Sequence, residues 1–429
     1  MADFDAIVVG SGCAGAVAAH ELASAQKNTL VIERGERNGA KNMSGGRLYT
    51  HSLAAVFPEY KTEAPLERRI AHERLSFITD DACTTVDFSS GQMLVPNSDS
   101  YSVLRAEFDE WLSSKAESAG AEYINGIAVE GLLKDDSGRV IGVRAGDDEI
   151  SADIVILADG VNSLLSKEAV GFKAPLPSTM AVGIKQVIEL PEAVISDRLL
   201  SQDGDGAAWL FVGDATHGHI GGGFMYTNRA SISLGLVATI SDLFTAKRPI
   251  YQMLEDLKAH SAVAPLIKGG KVVEHSGHMV PEGGLKMMPP LTADGVMLAG
   301  ESAMMCINLG YMVRGMDYAI AAGMHAGRAA AAALNKGDTS AAGLADYQKA
   351  LEDSFVLQDL RQFSGFPHFM ESTTRLFKEY PQMLSDVMNT LFVVDGRPVA
   401  PLKKSLKPIV KQVGLINMLK DVRGGIKAL

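Results

Sequence analysis

The 429-residue chain has only three cysteines, Cys13, Cys83 and Cys306, far apart and with no C-x-x-C pair. That excludes a disulfide scaffold, a four-cysteine zinc site and an iron–sulfur cluster held by this chain alone. It fits a reducing compartment. Basic charge is also short: 40 Lys+Arg stand against 51 Asp+Glu, a net charge of −11, which argues against general nucleic-acid binding. Long apolar runs are missing too. A spanning helix needs about 18 or more apolar residues, and the uncharged stretch Ala6 to His20 is shorter and broken by three glycines. Asp3 and Asp5 precede that run where a signal peptide needs basic residues. The expectation is a protein that is soluble or lies on a membrane surface. The ten histidines include no H-x-x-x-H pair. His217 and His219 have no third ligand placed near them, so they read as loop or sheet residues and no metal is expected.

Glycine is what the chain has in excess, 43 residues against a usual share of about 7%. Without a collagen period, this points to tight turns and close backbone approaches. Ala6–Val9 reads as a buried parallel strand, Ala14 to Ala25 as a helix and Thr29–Ile32 as a second strand, a β-α-β unit of about 30 residues. Residues 40–105 alternate loops with short segments, and Tyr101 to Ala119 has a helical pattern. Ile127 to Val143 reads as a hairpin turning at Asp136-Ser137-Gly138. Ile154–Leu157 and Val296–Ala299 are further buried strands. Residues 180–275 are strand-rich, and helices dominate beyond Leu344. The fold class is α/β. A discontinuous Rossmann-like domain covers 1–175 and 276–340, an inserted antiparallel-sheet substrate domain covers 176–275, and a helical C-terminal region covers 341–429.

Gly10-x-Gly12-x-x-Gly15 follows the first strand and opens the first helix. The first glycine makes the tight turn, the second admits a pyrophosphate, and the third lets helix and strand pack closely. Glu33 ends the second strand, where a carboxylate accepts from a ribose hydroxyl and disfavours a 2′-phosphate. Asp159-Gly160 and Gly300-Glu301 each follow a buried strand. With these turns the sequence resembles the FAD-dependent oxidoreductases of the glutathione-reductase/hydroxylase superfamily. The resemblance makes Ala14, Arg34, Val129, Asp159, Gly160, Gly300 and Glu301 cofactor-binding positions, although Glu301 stands where the family normally has Asp. Arg105 resembles the family's arginine at the head of a helix facing the cofactor; the alternative is a surface ion pair with Asp109 at i,i+4. No second G-x-G-x-x-G unit appears, and Gly221-Gly222-Gly223 lacks the β-α-β frame. Electrons would therefore come from a transient nucleotide or from another protein.

Several segments resemble a narrower group. They are Gly39 to Tyr49 (GAKNMSGGRLY), Gly183-Ile184-Lys185, Gly222 to Asn228, His278 to Gly284, Asn308-Leu309-Gly310 and Arg314-Gly315-Met316-Asp317. Together they resemble the FixC-like branch of the electron-transfer-flavoprotein:quinone oxidoreductases over nearly the whole chain. The resemblance implies FAD as cofactor and electron-transfer flavoprotein subunits and membrane quinone as partners. It also implies a small separate ferredoxin-like iron–sulfur subunit, because full-length relatives carry the cluster on cysteines this chain lacks. It places the chain in the cytoplasm or peripherally on the inner face of the cell membrane. Gly45 and Gly46 would let backbone approach the flavin. Arg47 and Lys185 are flavin-tuning cations or else solvated surface charges, and no residue is assigned as certainly catalytic. Asn308, Leu309 and Gly310 form the second flavin-contacting turn, whose N–H groups would meet the ring's pyrimidine edge. Gly223 to Tyr226 is either a quinone-facing wall or inner-face packing. The competing function is an NAD(P)H-dependent flavoenzyme of the geranylgeranyl-reductase or aromatic-hydroxylase type. Cys13, at a helix start, has a position that lowers a thiol pKa, but it reads as packing, as does Cys306.

Residues 402–429 hold seven basic groups and one acid, leaving 33 basic against 50 acidic groups in the rest. Leu402, Leu406, Ile409, Val410 and Val413 recur at helical spacing, interrupted by Pro408. A basic amphipathic end is either a membrane or partner contact, or a docked helix with a solvated basic face. Six of the fifteen phenylalanines fall between Phe355 and Phe392, a patch for a quinone tail or partner, or core packing.

Overall fold

The computed structural model describes residues 2–43, 45–201 and 204–429. The chain divides into two compact units. The first comprises Met1–Glu67, Val95–Leu176 and Met279–Gln362; the second comprises Arg68–Leu94, Pro177–His278 and Phe363–Leu429.

The first unit is organised by its opening strand, Phe4–Val9, whose last four residues are buried. Apolar without alternation, it suits a strand covered on both faces. It lies between Thr29–Glu33 and Asp148–Leu157, parallel to both, with Val8 opposite Val31 on one side and Ile156 on the other. Glu122–Asn125 and Val296–Leu298 extend the parallel sheet outward. The chain thus leaves its first strand toward one side of the sheet and returns on the other. The C-terminal end of Phe4–Val9 is a topological switch point, where α/β sheets bind ligands. The predicted hairpin is present as Val129–Lys134 and Val140–Ala145, closed by Gly138 N–H donating to Asp135 O at 2.9 Å.

Helix Cys13–Ser24 packs on helix Met316–Lys336 with almost no separation. A Cβ on Gly323 would fall 2.2 Å from the Ala14 carbonyl oxygen, and one on Gly327 would fall 2.6 Å from that of Ala18. Two glycines four residues apart on one face therefore let the backbones touch. The helix expected from Tyr101 starts at Arg105, because Ser100–Val103 pairs as a strand with Gly46–Tyr49. Leu48, Val103, Phe108, Leu112 and Ile320 join Cys13, Ala16 and Val17 in one apolar core.

In the second unit the strands run in the order Lys271–Pro281, Met180–Glu189, Ser231–Thr239, Gly221–Thr227, Asp205–Gly213, Leu66–Ile78. Pairing is antiparallel within the insertion, but Asp205–Gly213 runs parallel to Leu66–Ile78. That 13-residue strand occupies a stretch whose sequence reads as loops and short segments. Its pattern is masked by inward-pointing charge. Arg68, 1% exposed, donates from Nε to the Asn228 carbonyl at 2.8 Å and from Nη1 and Nη2 to those of Asp205 and Glu192, each at 3.2 Å. Arg74 lies over the Trp209 ring and donates to the Leu199 carbonyl at 3.0 Å. Buried charge is tolerable only when paired this fully. One sheet face, carrying Ile184, Phe211, Met225, Leu234 and Leu236, forms the apolar core. Four helices end the chain: Phe366–Ser372, Glu379–Phe392, Leu402–Val413 and Leu415–Ala428.

Candidate functional site

The turn after the first strand is set by backbone crowding. Gly10 has φ +94°, and a Cβ there would lie 2.6 Å from the Ala158 carbonyl oxygen; one on Gly15 would lie 1.9 Å from that of Gly10. Gly12 differs: its Cβ would meet only Arg105 Nη2 at 3.6 Å and Asn42 Nδ2 at 3.8 Å. What Gly12 keeps open is the space in front of a guanidinium and an amide. It also caps helix Cys13–Ser24, which has no side-chain cap and no acid in its first turn, so its positive end faces outward for an anion. Glu33 closes the other side. Its Oε2 accepts from Ser11 N–H at 2.9 Å and its Oε1 from Gly35 N–H at 2.7 Å. Each oxygen keeps a lone pair for a ribose hydroxyl.

Arg105 and Asp109 do form the i,i+4 pair, but not at the surface. Arg105 Nε and Nη2 reach the two Asp109 oxygens at 2.8 and 2.7 Å, and Asp109 is fully buried. Asn42 Nδ2 also donates to Asp109, and the Cys13 thiol donates at 3.6 Å. The ion pair of the alternative reading thus forms, though not at the surface, and its fork fixes the guanidinium beside Gly12. Burial works against the charge on Arg105, yet Asp109 beside it and Glu301 beyond hold its pKa above the ordinary value. Burial pushes the Cys13 thiol up, opposite to what a helix start alone does. Asn42 lies in the Gly39 to Tyr49 segment, where the resemblance gives it no role, and only its spacing from Arg105 singles out Asp109 in the sequence.

The later turns converge on the same loop. A Cβ on Gly300, φ +67°, would lie 2.9 Å from Ala14 Cβ. Ser302 Oγ donates to Asp159 Oδ1 and accepts from Gly160 N–H, both at 2.9 Å, which ties the two turns together. Burial raises the Asp159 carboxyl despite Ser163, Ser302 and the nearby cation Arg34. The exposed Arg34 directly follows Glu33, and the half-buried Val129 starts the hairpin strand opposite Ala145. Ile307–Asn308 and Val313–Arg314 form a small hairpin around Gly310. Leu309 N–H donates to the Met312 carbonyl and Gly310 N–H to Asn308 Oδ1, both at 2.9 Å. The N–H groups of Leu309 and Gly310 thus have partners within the turn, and Asn308 Nδ2 donates to Glu282 at 3.1 Å.

Gly45 has φ +71°, and a Cβ on Gly46 would meet Met316 Cε at 3.1 Å. Ser44, part of the same segment, lies outside the described residues. Arg47 donates to Ser100 Oγ at 3.0 Å and lies over the Tyr49 ring. Lys185 belongs to the second unit. At 1% exposure it is not a solvated charge, and it stands in register with Gly235, itself opposite Phe224. In the Gly223–Tyr226 run, Met225 enters the core while Phe224 and Tyr226 share the opposite, half-buried face. His217 is a turn residue paired with Asp256 at 2.9 Å, and His219 pairs with Asp242 at 3.2 Å. Among the described residues no His, Cys, Asp or Glu cluster is arranged to hold a metal.

The FAD binding domain family matches residues 3–350, and the ETF-QO/FixC family C-terminal domain matches residues 366–429. Over 426 residues, 99% of both chains, the sequence is 49% identical to the probable electron transfer flavoprotein-quinone oxidoreductase YdiS of Escherichia coli K12. The chain belongs to the ETF-QO/FixC family. It is 48% identical over the same length to the protein FixC of that strain. The family makes it an oxidoreductase with FAD as cofactor. The residues fit that cofactor: an open Gly12, an uncapped helix start and a fixed guanidinium suit a pyrophosphate, and Glu33 suits a ribose. The fold is shared with a geranylgeranyl bacteriochlorophyll reductase-like protein from Thermoplasma acidophilum (TM-score 0.72, 19% identity, 96% and 98% of the two chains). It is also shared with halogenase PltM solved with FAD (TM-score 0.65, 14% identity, 98% and 85%).

Proposed function

We propose that this chain takes electrons from a reduced electron-transfer flavoprotein and passes them toward membrane quinone, working with a separate ferredoxin-like subunit. The observation that carries the reading is the family match over residues 366–429, together with what the last helix of that segment displays. Leu415, Ile416, Leu419, Val422 and Ile426 are each 61–74% exposed, at spacings that put them on one face. Lys420, Arg423 and Lys427 lie among them. The other face carries Gly424 and Gly425 against Phe369, and Asp421 bound to Arg375 and Tyr380. An apolar stripe turned outward among cations suits an anionic lipid surface, and there we place the membrane contact. Among the described residues no helix is long and apolar enough to cross a membrane.

Bound FAD supplies the two-electron redox chemistry. The roles we assign to the chain are binding and orientation. Gly12, Ala14 and Arg105 receive the pyrophosphate, Glu33 the ribose, and Asp159 and Glu301 the ribitol side. Gly45 and Gly46 give the ring close access to backbone. Arg47 supplies positive charge that favours reduced, anionic forms; Lys185 enters as the second such cation from the family resemblance. The shortage of cysteine assigns the iron–sulfur relay to another subunit.

The test uses purified, FAD-loaded protein with its partners. Reduced electron-transfer flavoprotein should bleach the flavin absorbance, and a soluble quinone analogue should restore it. Failure of the quinone step with all partners present, or rapid reduction by NAD(P)H alone, overturns the reading.

A further inference from the structure

The Arg314-Gly315-Met316-Asp317 motif has no part in the assignments above, yet Arg314 joins several segments of the first unit. Its Nε donates to Asp317 Oδ2 at 2.7 Å and its Nη1 to Asp359 Oδ2 at 2.8 Å. Its Nη2 lies 2.6 Å from the same Asp317 oxygen and 3.2 Å from His51 Nε2, which is its hydrogen-bond link to the 46–51 segment. The guanidinium is walled by the rings of Tyr318 and Phe355, with centroids at 4.8 and 4.9 Å, and more loosely by Tyr49 at 5.7 Å. Asp317 is 1% exposed. Tyr318 OH also donates to Asp359 Oδ2, at 3.1 Å.

Four segments meet here. Arg314 closes the hairpin that carries Asn308, Leu309 and Gly310. Tyr49 and His51 end the strand that starts at Gly46 and begin the helix after it. Asp317 and Tyr318 open helix Met316–Lys336, and Asp359 lies on helix Phe355–Gln362. We propose that Arg314 is a positioning residue that fastens the 307–314 hairpin to the 46–51 segment, and that the clamp holds only while His51 accepts a hydrogen bond from it. The proposal rests on the reading that both segments border the flavin.

The chemistry at His51 Nε2 makes the clamp conditional. An unprotonated Nε2 accepts from Arg314 Nη2. Once protonated it has no lone pair to offer, faces a guanidinium with like charge, and turns to Asp317 Oδ2, already 3.5 Å away. It then competes with Arg314 for that oxygen. The charged groups facing the imidazole are Asp317, Arg314 and Asp359, and the Phe355 ring packs edge-on at 4.8 Å. Burial and Arg314 together outweigh the two carboxylates and hold the imidazole below its ordinary value. A depressed histidine stabilises the closed arrangement above its unfolded value, near 6.5, and loses that contribution as pH falls toward the folded one.

The full chain, its His51→Gln variant and its Arg314→Lys variant should be compared between pH 7.5 and 5.5. One readout is hydrogen exchange of residues 307–314 in FAD-free protein; the other is FAD affinity and the flavin absorbance envelope. In the parent protein the protection of these amides, corrected for the intrinsic slowing of exchange in acid, should fall as pH drops. FAD affinity should fall with it by up to about tenfold at pH 5.5, one unit below the unfolded value near 6.5. The glutamine oxygen accepts at every pH, so His51→Gln should lose that step. Arg314→Lys keeps the charge but not the fork, and its hairpin should exchange fast throughout. A parent protein without the step, or the same step in His51→Gln, overturns the proposal. A hairpin that responds while FAD affinity and spectrum do not overturns the positioning role and shows that the turn does not border the flavin.

Discussion

Arg105–Asp109 in the first unit and Arg375–Asp421 in the second are both two-pronged pairs, at 2.7–2.8 Å and 2.6–2.7 Å. In the first, the carboxylate is fully buried and takes two further donors, Asn42 and Cys13, while the guanidinium faces Gly12. In the second, the arginine is about a third exposed and, among the described residues, the only other donor is Tyr380, at 2.6 Å. The difference lies in what each pair leaves over. The first leaves a fixed cation beside the glycine-rich turn. The second uses up its polar groups under a helix, so that the opposite, apolar face points to solvent.

The sharpest way to break this comparison is to remove each acid. Asp109→Ala strands a guanidinium whose side chain is only 20% exposed and should cost about 2–4 kcal/mol in urea unfolding. It should also weaken FAD binding by about 100-fold in a flavin fluorescence titration. Asp421→Ala should leave FAD affinity where it is; equal losses from both variants would erase the distinction. Next, exchanging Leu415, Leu419 and Val422 together for serine removes exposed apolar surface. Partition onto anionic vesicles should fall by about tenfold or more, with the melting temperature unchanged because none of the three is in the core. An unaltered partition coefficient would remove lipid from the last helix.

Smaller effects sharpen the same contrast. Arg375 holds the Asp421 carboxyl below the ordinary carboxylate range. Its contribution is therefore complete above the unfolded value near 4 and fades as pH falls through the folded one. Asp421→Asn should cost about 1–2 kcal/mol at neutral pH and flatten the acid limb of a stability–pH curve. The smallest test is chemical. Cys13 and Cys306 are buried in the first unit and Cys83 is exposed in the second. A thiol reagent should label one site per native chain and three after unfolding.

Much of the first unit was legible because it is local. A β-branched run, a G-x-G-x-x-G turn and an acid at the next strand end lie within 33 residues, and the structure places them as a β-α-β unit. The hairpin at 129–145 and the strand at 296–298 follow from apolar runs and turn residues. What escaped depends on partners far along the chain. Leu66–Ile78 is a strand because Arg68 and Arg74 find carbonyls more than 120 residues away, and in sequence they look like solvent-facing charges. Asn42 belongs to the site only because Asp109 is folded against it. The tail shows the same limit. Residues 402–413 and 415–428 are both basic and amphipathic, yet Ile409 and Val413 turn inward while Leu415, Leu419 and Ile426 turn outward. Composition could not decide which apolar residues turn inward; that depends on what each helix packs against.

The contact of Gly323 and Gly327 with the first helix also sets a schedule. The backbone that buttresses Ala14 and Ala18 arrives more than 300 residues after them, and the strand beside Phe4–Val9 arrives about 150 residues after it. During synthesis the glycine-rich turn lacks this buttress until about three-quarters of the chain has been made, at a pace of roughly 5–20 residues per second. Contacts so distant in sequence make for slow assembly. FAD capture is thus a late event, and a ribosome-bound chain stopped before Met316 should emerge colourless.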